Sequence, residues 1–331
     1  MKKIVGVIAV ALLLAACGNG EKRLFKQAQL ATSKGNYTQA MQLYSRLIKQ
    51  DPQNASAYAN RGILWERLPF KDAKERAKNR AYAEQDYLKA IELNPNIPET
   101  YNNLGALYID MGRYSQAVYQ LTDAIIRKPN YFTALMNRAI AYSKMGRSAD
   151  ALADFNSAFK IRQDEPLLFL NRGLTYFSLG KYELAADDYT YLISLTPDDA
   201  RPYLERARAF IKMGYPSNAY ADLEEAVTIK PTYALAYYYM GDLMYRKGET
   251  DYALGLLVKS KELASQYVPT YDLMGDMLAV EDPVAATANY LVAKKLDPAN
   301  AAKYERKIQL MRTEAGRERV LAERFFPKEN N

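Results

Sequence analysis

The sequence predicts an all-α fold: a solenoid of about eight helix-turn-helix repeats closed by a C-terminal capping helix. Three observations predict it. The segments NNLGALYIDMGRYSQA (102–117), NRAIAYSKMGRSADA (137–151) and NRGLTYFSLGKYELA (171–185) align with one another and recur every 34 residues. Most repeats place small, aromatic, glycine and proline residues at fixed positions, as two closely packed helices with a tight turn require; in the fourth, Gln163 replaces the proline. After the last repeat, Tyr304, Ile308, Met311 and Ala315 form one apolar stripe at helical spacing among charged residues. That is the pattern of a helix that covers a solenoid end and faces water.

The N-terminus carries its own signal. Met1-Lys2-Lys3 precedes a 13-residue apolar run, 4–16, too short to span a bilayer as a helix and the right length for the core of a signal peptide. The run ends at Leu14-Ala15-Ala16-Cys17. Cys17 is the only cysteine among 331 residues, which excludes an intrachain disulfide and a cysteine-cluster zinc site. Histidine is absent, which removes every triad, general base or metal site that needs one. A composition of 49% apolar and 25% charged residues is that of a folded chain. The net charge of +7 is too weak to argue for nucleic acid.

The repeats follow in order. The first covers 21–54 (Gly35, Ala40, Tyr44, Pro52). The second, 55–97, has Tyr58, Gly62, Trp65, Ala83, Tyr87, Ala90 and Pro95, and carries nine extra residues within 66–80. The third to seventh begin at 98, 132, 166, 200 and 234. The eighth, 268–300, is one residue short and lacks the turn glycine. Small residues at repeat positions 8 and 20 let the paired helices approach, glycine at 15 turns the chain, and proline at 32 ends the second helix. In the insertion, Pro69 ends a helix and Asp72 is placed as the N-cap of the next, with Glu75 at capping-box spacing. That helix is expected to run through Ala73–Leu93.

This pattern resembles the tetratricopeptide repeat (TPR). The resemblance implies a right-handed superhelix, a non-enzymatic scaffold for protein partners, and a concave face lined by positions 2, 5, 6, 9, 12 and 13 of each first helix. The Leu14–Cys17 segment resembles a bacterial lipobox. That resemblance implies removal of residues 1–16 and acylation of Cys17, with 17–20 as a tether of at most ~10 Å over its three residues beyond the cysteine. Gly18 after the cysteine implies the outer membrane of a diderm bacterium, on the periplasmic side. The repeats then fill 21–300, and 301–331 form the capping helix and tail.

Two expectations concern side chains. Arg61, Arg138, Arg172 and Arg206 occupy position 7 in the same four repeats in which Asp86, Asp154, Asp188 and Asp222 occupy position 23. Co-occurring opposite charges predict an ion pair within each repeat, structural in role. On the concave face, position 6 reads Asn60, Asn103, Asn137 and Asn171. Such amides both donate and accept, and so suit a peptide backbone. They resemble the asparagine ladders of some superhelical family members. Met136, Ile140, Leu170, Leu174, Phe177 and Leu204 are expected beside them as an exposed apolar strip that marks a partner site. Repeats seven and eight turn aromatic and acidic, with Tyr238, Tyr239, Tyr245, Asp242, Asp272 and Asp276.

The expected function is that of an envelope-anchored adaptor that binds an extended polypeptide without a cofactor or metal. The alternative is a glycan-binding or polysaccharide-export lipoprotein whose Tyr238, Tyr239 and Tyr245 stack on sugars. The insertion, with Lys71, Lys74, Arg76, Lys78 and Arg80, is a candidate contact with an anionic surface.

Overall fold

The computed structural model describes residues 19–325; Cys17, the apolar run before it and residues 326–331 lie outside that range. All regular structure among the described residues is helical, in eight successive helix-turn-helix pairs and two further helices. The chain divides into two compact units, 1–175 and 176–331.

The first unit contains α1 (Asn19–Ser33), α2 (Tyr37–Gln50), α3 (Ala55–Arg67), α4 (Ala73–Leu93), α5 (Pro98–Asp110), α6 (Tyr114–Arg127), α7 (Phe132–Lys144), α8 (Ser148–Ile161) and most of α9 (Pro166–Ser178). The turn glycine explains the recurring helix ends. Gly146, at φ 74°, occupies the left-handed region closed to most residues. The next amide, that of Arg147, bonds back to the Tyr142 carbonyl at 2.9 Å, closing a Schellman motif. The small residue at position 8 acts by contact. A Cβ added to Gly105 would lie 2.5 Å from Leu121 Cγ on the paired helix, so α5 and α6 pack at backbone distance. At position 24, Tyr44 and Tyr87 are fully buried and fill the space between neighbouring pairs.

The insertion builds the long α4. The Asp72 side chain accepts from the Glu75 amide at 2.8 Å, and Glu75 Oε2 accepts from the Lys71 amide at 2.7 Å. The first satisfies a donor that the first turn leaves open, and the second ties the residue before the N-cap to that turn.

The second unit contains α10 (Tyr182–Leu195), α11 (Ala200–Met213), α12 (Pro216–Ile229), α13 (Ala234–Lys247), α14 (Thr250–Leu263), α15 (Val268–Leu278), α16 (Pro283–Leu296), α17 (Ala301–Leu310) and α18 (Glu314–Phe325). Its core joins Leu204, Leu223, Met240, Leu243 and Leu256, and near the end Tyr271, Tyr290, Tyr304, Met311 and Val320.

The C-terminal region departs from the single capping helix expected over 301–324. The chain turns at 311–313 and starts α18 anew. Tyr304 and Met311 are buried at 3% and 5% exposure, but Ala315 is exposed, because the break takes it off the stripe.

Candidate functional site

Two of the four arginine–aspartate sets lie in the first unit and one in the second, and each of these three makes a two-pronged pair. Arg61 Nε and Nη2 meet Asp86 at 2.8 Å each; Arg138 meets Asp154 at 2.7 and 2.8 Å; Arg206 meets Asp222 at 2.8 and 2.7 Å. The three carboxylates are buried, at 5–6% exposure. Arg172 and Asp188 belong to different units, and their pairing remains an expectation from the sequence.

The structure adds a third partner that the sequence reading missed. The remaining Nη1 of each arginine reaches back to the second helix of the preceding repeat. Arg61 meets Ser45 (3.3 Å), Arg138 meets Thr122 (3.0 Å), Arg172 meets Asn156 (3.1 Å) and Arg206 meets Thr190 (3.0 Å). All four acceptors lie 16 residues before their arginine. Each arginine therefore stitches one repeat to the one before it. The signal was present: where position 7 is Leu104, Met240 or Met274, the residue 16 earlier is Leu88, Glu224 or Val258, with no hydroxyl or amide.

On the concave side of the first unit, the amides turn largely toward the protein. Asn103 and Asn137 are buried at 2% and 3% exposure, and Asn102 is fully buried. Asn137 Nδ2 donates to Asn102 Oδ1 at 3.0 Å, joining α7 to α5. Asn60 and Asn171 spend an amide hydrogen on their own helices, on the Ser56 and Leu167 carbonyls at 2.7 Å each. Asn171 is half-exposed.

The apolar strip is not open as expected. Met136, Ile140 and Leu170 are buried at 6–8% exposure and Leu204 at 1%; only Leu174 and Phe177 remain half-buried. Within the first unit, α5 and α7 pack closely, which leaves Met136 and Ile140 little room to face a ligand.

In the second unit, Tyr238 packs edge-on against Tyr239 and Tyr267, with centroids 5.2 and 5.3 Å apart. Arg208 lies over Phe177 at 4.9 Å and over Tyr239 at 5.9 Å, and ion-pairs with the buried Glu205. Burial, and then the Asp242 charge, raise the Tyr238 phenol above its ordinary value. Tyr238, Tyr239 and Tyr245 are each half-buried.

The acidic trio is met by cations. Lys307 Nζ lies 2.6 Å from Asp272 and 2.5 Å from Asp276, and Lys303 lies 2.7 Å from Asp272. Arg324 reaches Asp242 at 2.5 Å and Asp276 at 3.5 Å. Burial pushes the Asp272 carboxyl up, but Lys307 and Lys303 outweigh it and hold the group below its ordinary value. Among the described residues, no group of acidic side chains is placed to hold a metal ion.

The insertion also pairs internally. Arg76 meets Asp110 at 3.1 Å, and Arg80 bonds to the same carboxylate. Lys71, Lys74 and Lys78 are exposed, beside Phe70 and Tyr82, which are 38% and 36% exposed.

Models of the tetratricopeptide repeat match residues 86–119, 132–165 and 200–233, and a related repeat model matches 28–68 and 173–214. The chain belongs to the tetratricopeptide-repeat family. Folds of this family serve as scaffolds that bind protein partners. Among solved structures, the chain is similar to a tetratricopeptide repeat protein from Parabacteroides merdae, at 21% identity and TM-score 0.55, covering 75% of this chain and 94% of that one. It is also similar to PilW, a type IV pilus biogenesis factor, at 19% identity and TM-score 0.57, covering 65% of this chain and 96% of that one. A stretch of 120 residues is 30% identical to the cellulose synthase operon protein C of Pseudomonas fluorescens, 36% of this chain and 7% of that protein. The chain spans at most 12% of the length of the curated relatives it matches. No helix among the described residues is long and apolar enough to cross a membrane.

Proposed function

We propose that the protein is an exported, lipid-anchored adaptor of the bacterial envelope that holds an extended polypeptide on its concave surface and catalyses no reaction. The observation that carries the anchoring is the sole cysteine, Cys17, at the end of the apolar run in a Leu-Ala-Ala-Cys box. Acyl chains on that residue would hold the protein stably, since two membrane signals already suffice. Gly18 after the acylated cysteine fits an outer-membrane destination facing the periplasm. Solved structures of the same fold include a pilus biogenesis factor, which fits such a setting. The non-enzymatic reading rests on the absence of histidine from the sequence and on Asp242, Asp272 and Asp276 being held by Arg324 and Lys307.

For the polypeptide, the burial pattern selects among the amides. Asn103 and Asn137 belong to the contacts between α5 and α7. Asn60 is also buried, at 8% exposure, whereas Asn171 is half-exposed and bonded only through an amide hydrogen to its own helix, so Asn171 is the member suited to a ligand backbone. Two measurements test this. Mass spectrometry of protein from its native membrane should find an acylated Cys17 at the N-terminus; an intact Met1 overturns the anchoring. Capture of crosslinked envelope partners should fall roughly two- to tenfold in an Asn171→Ala variant, for one hydrogen bond lost. Unchanged capture by a folded variant overturns the concave site.

A further inference from the structure

We infer that the concave face of α13 and α15 is a second binding surface, made for an arginine-bearing helix of a protein partner, and that α18 fills it until such a helix displaces it. The inference rests on the scaffold reading above but concerns a different surface and a different ligand chemistry.

The fold-back of α18 is specified, not incidental. A Cβ at Gly316 would lie 2.2 Å from the Leu310 carbonyl oxygen, so only glycine lets α18 turn so closely onto the end of α17. The Gly316 amide bonds to Thr313 Oγ1 at 3.1 Å and fixes the first turn. The turn delivers Arg324 to Asp242 on α13 and Asp276 on α15, whose side chains are 10% and 3% exposed. Burial works against the guanidinium charge, but the Asp242 and Asp276 carboxylates outweigh it and hold the group above its ordinary value.

The face does not depend on α18 to remain built. Asp242 also accepts from Arg246 at 2.8 Å, and Asp276 accepts from Lys307 and from the Tyr290 hydroxyl at 2.5 and 2.8 Å. Departure of Arg324 therefore leaves neither carboxylate without a partner. The apolar grip of α18 is small. Val320 is its one buried large apolar side chain among the described residues, while Glu314, Ala315, Glu318, Arg319 and Ala322 are exposed. The pair between Arg306 and Glu323 lies at the surface, where ion pairs contribute little. An element held this way sits at the low end of local stability. The site thus shows its own ligand chemistry: a helix with one small apolar residue and, four positions on, an arginine.

The probe is a fluorescein-labelled synthetic peptide with the sequence of residues 312–325, titrated into the full-length protein. A Val320→Asp/Arg324→Glu variant releases α18 while leaving α13 and α15 unchanged. The peptide should bind this variant at least tenfold more tightly than wild type, whose tethered α18 competes at high effective concentration. Adding Asp242→Asn should remove that gain, as should Arg324→Ala in the peptide. Equal binding to wild type and opened variant, or binding indifferent to Asp242, overturns the inference. Hydrogen exchange on the unmodified protein provides a second reading: excess unlabelled peptide should speed exchange of the α18 amides, and unchanged rates also overturn it. The peptide comes from this chain, so its failure leaves the Asn171 surface and the lipid anchor untouched, and their failure leaves this test intact.

Discussion

Replacing Arg138 alone should damage the fold far more than replacing Arg138 and Asp154 together. The Asp154 carboxylate is 6% exposed and receives two hydrogen bonds from one guanidinium. Arg138→Met leaves that charge buried without its partner, a loss of about 3–5 kcal/mol for a broken buried pair. The same substitution also frees Thr122 on the preceding repeat. The chain itself contains the apolar counterpart: in the seventh repeat Met240 and Leu256 hold the equivalent positions and share one buried cluster. An Arg138→Met/Asp154→Leu variant should therefore lie within ~1 kcal/mol of wild type, since no unpaired charge remains. The coupling between the two sites should be at least ~2 kcal/mol. Repeat arrays can lose two-state behaviour, so the appropriate assay is native-state hydrogen exchange read on the amides of α7 and α8. If Arg138→Met alone costs under ~1 kcal/mol, or the double variant is no better than the single, the stitch is not a buried ion pair in energetic terms.

Two further outcomes follow from titratable and charged groups. Burial pushes the Glu66 carboxyl from 4.5 up to about 7, against the opposing hydrogen bond from Tyr87; the native state thus holds this proton more tightly than the unfolded chain, so its stability contribution is complete below about pH 4.5 and is lost as pH rises through about 7. The wild-type Tm should fall between pH 5 and pH 8 and Glu66→Gln should flatten that slope, whereas parallel slopes would refute the role of Glu66. Lys71→Glu/Lys74→Glu/Lys78→Glu should weaken binding of the protein lacking residues 1–17 to phosphatidylserine vesicles at low salt by roughly tenfold or more, at ~1 kcal/mol per basic residue; no salt-sensitive binding in wild type would reduce the insertion to a longer helix.

The repeat period, the turn glycines and the helix start at Asp72 were legible because each depends on the local chain. A left-handed φ needs glycine, and an N-cap needs a short acceptor, whatever surrounds them. The arginine–aspartate pairs were legible for another reason: repetition supplies an internal comparison, and charges that appear and vanish together report contact. The same comparison, extended one position, would have found Ser45, Thr122, Asn156 and Thr190. The break before α18 was not legible. Arg312-Thr313-Glu314 interrupts no periodicity, and the decisive glycine, Gly316, lies inside the new helix, where sequence rules treat it as a weakness and not as a contact.

The asparagine ladder shows where reading residue by residue fails. A row of amides on one helix face looks the same in sequence whether it meets a ligand or another amide, because each group can satisfy the other's donor and acceptor. What separates the two cases is the distance between adjacent first helices, a property of the whole stack. One local sign existed. In the third repeat alone the residue before the ladder position is also asparagine, and that Asn102 is fully buried and accepts from Asn137. A second amide beside the first supplies the ladder with a partner inside the protein, so the doubled position marks a stitch; of the single positions Asn60 is buried at 8% exposure, and the half-exposed Asn171 is what remains for a ligand. The same logic accounts for α18: Asp242 and Asp276 suit a guanidinium, and the chain's own Arg324 supplies one that reaches both.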